Sequence, residues 1–588
     1  MGGSLTLEGS IAADGAAGLS GRAGGGAGGS VWISAQTFRG SGRVSAGGGD
    51  GESIHASGGG GGRIVVECAS NLFTGMLEAR GGAGYQAGGA GTVWLRDNTL
   101  GQDTLRVDNQ GQIGAITPVA VSEVSALWVG GRAVLCPTVA MQVNQLTVES
   151  NSWLAIAPGL TNLQLTVLGD AWLASGGGVD AVGKGFAWGQ GSGRGLFQVY
   201  GVNAAGGGGG HAGNGGMGFW TNLSGGGGYY GSVTSPVSAG SGGGGSTNFP
   251  GGAGGGAVRL DVRGTLQLDG VILADGQWPP SAGGGGGAGG SVWLSARTLS
   301  GSGRISANGG SALLSQSGGG SGGRIAVDFE TNLFSGTITA FGRVGYQNGA
   351  AGTIYFQTNP LGAAQVLVDN GGWLGTDTHV NSSGEWLIVQ GGARAGGLSA
   401  LRNLLVRADS QYVFFTTGRV NSLTVSGDLR IEPGGAISLD GLGNQPGRSG
   451  SATDGRYYSA GTQPTWSGGG GGHGGYGGNG AHGGSSSAGG SPTGSMTQPA
   501  SVGGAGGSGG FLGGAGGGAL QLTVNGLLQL DGRISARGLP GRLGGVGGGA
   551  GGSLWLSLSR WAGRANCWPT AAAATCPTAA GAVAGASP

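Results

Sequence analysis

Charge is scarce in this sequence. Asp, Glu, Lys and Arg make up 9% of 588 residues, the formal net charge is +1, and no basic run occurs. Nucleic-acid binding by phosphate neutralisation needs clustered Lys and Arg, so that partner class is excluded. Lys184 is the one lysine among 28 basic residues. Neither Ser nor Thr follows it, which excludes a Gly-x-x-x-x-Gly-Lys-Ser/Thr phosphate loop. Apolar runs are short as well, and none approaches the roughly 18 residues of a membrane span. No charged-then-apolar leader follows Met1. The four cysteines, Cys68, Cys136, Cys567 and Cys576, show neither a disulfide framework nor metal-ligand spacing. With 17 prolines and no Gly-X-Y period, a collagen helix is excluded.

What the chain has is glycine, 153 residues of it, and a long repeat. Gly29-Ser30-Val31-Trp32-Ile33-Ser34 returns as Gly290-Ser291-Val292-Trp293-Leu294-Ser295 and as Gly552-Ser553-Leu554-Trp555-Leu556-Ser557. Repetition at this length means that a folded block is duplicated. The repeat predicts a first unit over 1–264, incomplete at its N-terminus, a second over 265–526, and the start of a third over 527–559. Residues 560–588 break the pattern. Read one frame over, the codons from Arg560 onward can encode a continuing third copy, so this tail is expected to be out of frame or disordered. Cys567 and Cys576 are then accidental, and Cys68 and Cys136 are expected to be ordinary buried thiols.

Within a unit, segments such as Thr265-Leu266-Gln267-Leu268 and Arg304-Ile305-Ser306-Ala307 alternate with period two between Gly, Asp or Asn. That is strand signal, and no window carries a helical stripe. Numerous similar strand-turn-strand modules predict an all-β fold, a right-handed parallel β-helix (solenoid) with long glycine-rich loop insertions. The largest insertions fall at about 204–256 and 468–518. Such tracts read either as flexible loops, since glycine loses the most backbone entropy on ordering, or as packed polyglycine-II-like strands whose bare backbones bond to one another.

Few residues suggest chemistry. Trp32, Trp293 and Trp555 hold one repeated strand position and are the candidate binding residues, as an aromatic ladder for sugar rings or apolar ligands. Core packing or cross-rung stacking is the structural alternative. Glu8, Asp269 and Asp531 precede glycine and are expected to cap their own turns. Asp108-Asn109 and Asp369-Asn370 repeat the theme, with stacked Asn as an amide ladder. His211 and His473, each after five glycines, read as exposed loop residues rather than metal ligands. Tyr85-Gln86 and Tyr346-Gln347 read as loop anchors. No paired carboxylates or poised histidine mark a catalytic centre, and neither a cofactor nor a metal is expected.

The strings at 269–276, 290–295, 301–310 and 322–327, with partners at 14–15, 29–34, 40–48 and 61–66, resemble the glycine-rich repeats of very large bacterial surface and secreted proteins. Such proteins look like pectin-lyase-type β-helices and autotransporter passengers. The resemblance implies export, an extracellular or cell-surface location, and cell-surface polysaccharide or other surface proteins as partners. It carries over no catalytic motif. The expected function is a non-catalytic structural or adhesive fragment of a surface repeat protein. The alternatives are a carbohydrate-binding or polysaccharide-degrading module using Asp108, Asp369 or the Trp positions, and a fragment of a disrupted gene.

Overall fold

The computed structural model describes residues 3–563 apart from 20–21, 53–54, 201–202, 220–223, 314–315, 359–362, 447–452, 456, 460–465, 483–484, 509–511 and 542–545. Every regular element among these residues is a β-strand, so the chain is all-β. Among the described residues no helix is long and apolar enough to cross a membrane. The chain divides into two compact units, Met1–Thr378 and His379–Pro588.

In the first unit, strands of 11 residues alternate with strands of three: Ser30–Gly40, Arg43–Ser45, Arg63–Phe73, Met76–Glu78. The long strands pair in parallel, Ser30 with Arg63 through Gly40 with Phe73. The short ones pair in parallel in a separate sheet, Arg43 with Met76. Both pairings join residues 33 apart. The second repeat does the same, Ser291 with Arg324 and Arg304 with Thr337. Each stretch of 33 residues therefore contributes one long strand to one sheet and one short strand to another. Period-two alternation turns one face of each long strand inward. Val292, Ile325 and Ile354 stack in one buried column, and Leu294 lies over Val327 in the next. Each such side chain contributes about 1.5–3 kcal/mol by leaving water.

Glu8 and Asp269 reach the turn 33 residues on rather than their own, contrary to the sequence expectation. Glu8 accepts from the Ser41 N–H and hydroxyl, and Asp269 accepts from the Ser302 N–H. Asp14 and Asp275 likewise accept from Gly47 and Asn308, again 33 residues on. The repeat places each acid directly over the next turn, where orphan N–H groups need acceptors.

Among the described residues, two hairpins of the large sheet depart from its parallel pairing. Thr92–Asp97 runs antiparallel to Gln102–Asp108, and Thr353–Thr358 to Gln365–Asp369. Asp97 Oδ1 accepts from the Thr99 and Leu100 N–H groups, and Gly101 takes φ +62°. That is Asx-turn chemistry with glycine at the left-handed position. Strand direction in the first unit therefore reverses at these points. After each reversal a buried Asn closes the turn. Asn370 Oδ1 accepts from the Gly342 N–H at 2.7 Å while its Nδ2 donates to the Trp373 carbonyl at 2.7 Å, and Asn109 does the same with Gly81 and Gln112. These amides clasp backbone. Asn370→Ala leaves the Gly342 N–H buried without its acceptor and is expected to cost about 1–3 kcal/mol, read as a lowered urea midpoint.

The large insertions leave the ladder without breaking it. Asn162 through Val167 pair in parallel with Ala257 through Val262, across the whole first tract. In the second unit, Val420 through Val425 pair with Ala519 through Val524 across the second. That unit is also built on parallel pairs, including Trp386–Gln390 with Asn403–Val406 and Ala519–Leu530 with Ser553–Ala562. The last strand stays paired through Ala562, opposite Gln529, after a register shift between Val524 and Leu527. The remainder of the tail, 564–588, lies outside the described residues.

The tracts themselves are ordered. Successive N–H groups of residues 285–290 donate to Gly244, Gly318, Gln277, Ser241, Ser321 and Ala274, at 2.7–3.1 Å. Residues three apart thus bond to the same neighbour: 244 and 241, 318 and 321, 277 and 274. The same period runs through 206–210, where Gly206 and Gly209 reach Gly283 and Gly286, and Gly207 and Gly210 reach Leu196 and Gly193. In the second unit Gly503 and Gly506 reach Gly517 and Gly514, while Gly504 and Gly507 reach Gly472 and Gly469. A three-residue turn with no internal hydrogen bonds is the polyproline-II conformation. It points each donor of a turn at a different neighbour. The inserts are bundles of bare-backbone helices, which decides between the two sequence readings of the tracts.

Candidate functional site

Trp32 lies on the outward face of Ser30–Gly40, between the inward Val31 and Ile33, and is 73% exposed. It is not a core residue. Its ladder partner is Val65, which in turn faces Trp94. Trp293 occupies the equivalent place opposite Arg259 and Ala326, and Ala326 faces Tyr355. The Arg259 guanidinium sits 4.3 Å from the Trp293 ring centre, and the indole N–H donates to Asp328 Oδ2 at 3.1 Å. Burial raises the Asp328 carboxyl above its ordinary range, and the indole hydrogen bond opposes that shift. Trp32 and Trp293 are separated by intervening strands and stand in different columns. Trp555 belongs to the second unit, opposite Gln521. The structure does not bring Trp32 and Trp293 together.

It does bring together two tryptophans that repeat comparison missed. Trp128 pairs with Thr147, and Thr147 with Trp172, on one outward column two strands apart. Two strand spacings amount to about 10 Å. Arg106 precedes Trp128 in this column, its guanidinium 4.2 Å from the ring centre and held by Asp108 at 2.8 Å. Trp172 is 43% exposed. The signal was local: Leu127-Trp128-Val129 and Ala171-Trp172-Leu173 each place Trp between inward aliphatics. Comparison between repeats hides it, because these positions hold no aromatic residue in the second copy.

Asp108 and Asp369, the carboxylates considered for hydrolysis, cap their own turns. Asp108 Oδ1 accepts from the Gln110 N–H at 2.8 Å and Asp369 Oδ1 from the Gly371 N–H at 2.7 Å.

His211 is fully buried, contrary to the expectation of an exposed loop residue. The glycine bundle closes over it. Its Nδ1 contacts the Gly289 carbonyl at 2.8 Å, its ring packs on Tyr230 at 4.6 Å, and its N–H backbone donates to Ser321 Oγ. Burial, then the neighbouring Arg324, lowers its pKa to about 3. Arg324 is itself buried, donating to the Tyr230 carbonyl at 2.9 Å and to the Thr353 hydroxyl at 3.2 Å. Burial lowers it to about 10. His473, the counterpart in the second unit, is half-buried, with Nε2 3.1 Å from Ser553 Oγ, and burial lowers its pKa too. Cys68 and Cys136 are buried free thiols, both shifted upward, first by burial. Among the described residues no group of three or more His, Cys, Asp or Glu is placed to hold a metal ion.

Comparison with protein-family models, curated proteins and solved structures finds no match to the chain.

Proposed function

We propose that the chain is a structural and adhesive module of an extracellular or cell-surface repeat protein, built as a β-solenoid stiffened by glycine bundles, with the outward face of the long strands as its adhesive surface toward polysaccharide. The observation that carries this reading is the column Trp128–Thr147–Trp172. Two indoles flank a small polar residue at a spacing of about 10 Å, with the Arg106 guanidinium at one end. Planar indoles stack on the apolar faces of sugar rings, and Arg and Thr supply hydrogen bonds to hydroxyls. The solenoid reading is supported by the shared 33-residue offset of the long and short parallel ladders. The resemblance to glycine-rich surface repeats supports the location.

Affinity electrophoresis through a panel of soluble polysaccharides tests the reading. Retardation by at least one polysaccharide is expected, and Trp128→Ala with Trp172→Ala together should weaken it about tenfold or more. Each aromatic contact contributes about 0.5–1.5 kcal/mol beyond burial. Retention unchanged in the double variant contradicts the assignment of the face. Release of reducing sugar or unsaturated product contradicts a non-catalytic role.

A further inference from the structure

The surface between Trp128 and Trp172 carries a charge that the spacing of the indoles alone does not describe. Thr147 lies on the strand between them, Met141–Val148, and Glu149 comes two residues later. The Glu149 N–H donates to the Val129 carbonyl at 2.9 Å, which sets Glu149 beside Gly130. Gly130 is where the Trp128 indole comes to rest. A Cβ built there would lie 2.1 Å from Trp128 Cη2, 2.4 Å from its Cζ2 and 2.7 Å from Glu149 Oε2. The benzo edge of the indole and the carboxylate therefore meet over a bare Cα.

Two carboxylates flank that edge, and their circumstances differ. Asp108 pairs with Gly130 from the opposite neighbouring strand. It holds the Arg106 guanidinium at 2.8 Å, while that guanidinium covers the Trp128 ring at 4.2 Å. The charge of Arg106 is thus balanced. Glu149 is half-buried, yet among the described residues its carboxylate accepts no hydrogen bond and joins no ion pair. An acceptor drawn partly out of water without a donor is unfavourable until a ligand brings one.

We propose that Glu149 determines which polysaccharide this face takes: an uncharged one, with a sugar unit stacked on the indoles and its hydroxyls donating to the Glu149 carboxylate. The inference rests on the adhesive reading of the column and names its ligand class. Sugar hydroxyls supply the donors that a carboxylate, an acceptor only, requires. A uronate would bring a second carboxylate close to Glu149, and like charges at that range repel. Arg106, already balanced by Asp108, offers it no free counter-charge. Gly130 is a positioning residue. A side chain there would displace the ring edge and the carboxylate together, because a Cβ overlaps both.

Isothermal titration calorimetry of the full chain tests this. Hexasaccharides of glucose, mannose and xylose are the uncharged probes, and hexasaccharides of galacturonate and of glucosamine are the charged ones. At least one uncharged probe is expected to bind, about tenfold or more tighter than galacturonate. Glu149→Gln should weaken that probe about tenfold and narrow its margin over galacturonate. Thermal unfolding should stay unchanged, because the carboxylate has no partner within the chain to lose. Gly130→Ala should weaken binding by a similar factor and still fold, since the atoms its Cβ meets are the ends of movable side chains. Equal affinity of the parent and Glu149→Gln for the uncharged probe would overturn the proposal. A preference for galacturonate or glucosamine that Trp128→Ala with Trp172→Ala abolishes would overturn the uncharged class and leave the adhesive face standing. No binding by any probe would take down both.

Discussion

Gly208→Ala is expected to destabilise the first unit by about 3 kcal/mol, at the upper end of what overpacking costs, whereas Gly228→Ala in the same insertion is expected to be neutral or slightly stabilising. The difference is one of surroundings, not of residue type. A Cβ at Gly208 meets the Gly319 oxygen at 1.9 Å and its carbon at 2.4 Å. Both are backbone atoms fixed by their own hydrogen bonds, so nothing can rotate away. At Gly228 a Cβ meets nothing within 4 Å. Alanine there only restricts the unfolded chain, an effect of about 0.4–1 kcal/mol in favour of folding. Denaturant midpoints of the two variants, measured on the transition of the first unit, check both halves. Equal behaviour of the two would mean that the tract is loose at both places.

Acid should destabilise the first unit through His211. In the unfolded chain this imidazole takes a proton near 6.5, while in the folded chain burial and Arg324 hold its pKa at about 3. Between those values the unfolded state binds the extra proton, so stability is complete above pH 6.5 and falls as pH drops toward 3. The slope approaches about 1.4 kcal/mol per pH unit in the middle of that window, giving a loss of a few kcal/mol by pH 3. Carboxylates titrate in the lower part of the same range, so the measurement is a difference. His211→Gln keeps a donor for the Gly289 carbonyl and removes the titration. The variant should lose less stability than the parent between pH 6.5 and 4.5, where few carboxylates change state. Parallel pH profiles would show that His211 is accessible to protons in the folded state.

The all-β class and the large duplication could be read directly, because inward aliphatics recur at alternate positions in the long strands and the turns carry Asp, Asn and Gly. The 33-residue offset of the parallel pairing could not. Ser30-Val31-Trp32-Ile33 and Arg63-Ile64-Val65-Val66 share only an inward pattern, too short to align without the pairing itself. The hairpin at residues 98–101 did carry turn signal in Asp97 and Gly101, but a fold expected to be wholly parallel left no place for it. Burial of His211 had no local sign. Its neighbours Tyr230, Gly289, Ser321 and Arg324 are brought to it by the glycine bundle. The bundle itself leaves no side-chain periodicity, because most glycines of a tract face another backbone. Its three-residue period exists only in the hydrogen bonds. The outward Trp128 and Trp172 were obscured for another reason. Comparison of repeats favours what recurs, and a surface can be built from what does not.

Hydrogen exchange resolved to single amides tests the central claim, that glycine tracts are hydrogen-bonded helices packed on the parallel ladder. The account predicts that the amides of residues 206–210, 285–290 and 318–323 exchange as slowly as those of the strand Ser291–Gly301. Exchange of these glycine amides at the rate of an unstructured peptide, beside a protected strand, would contradict it.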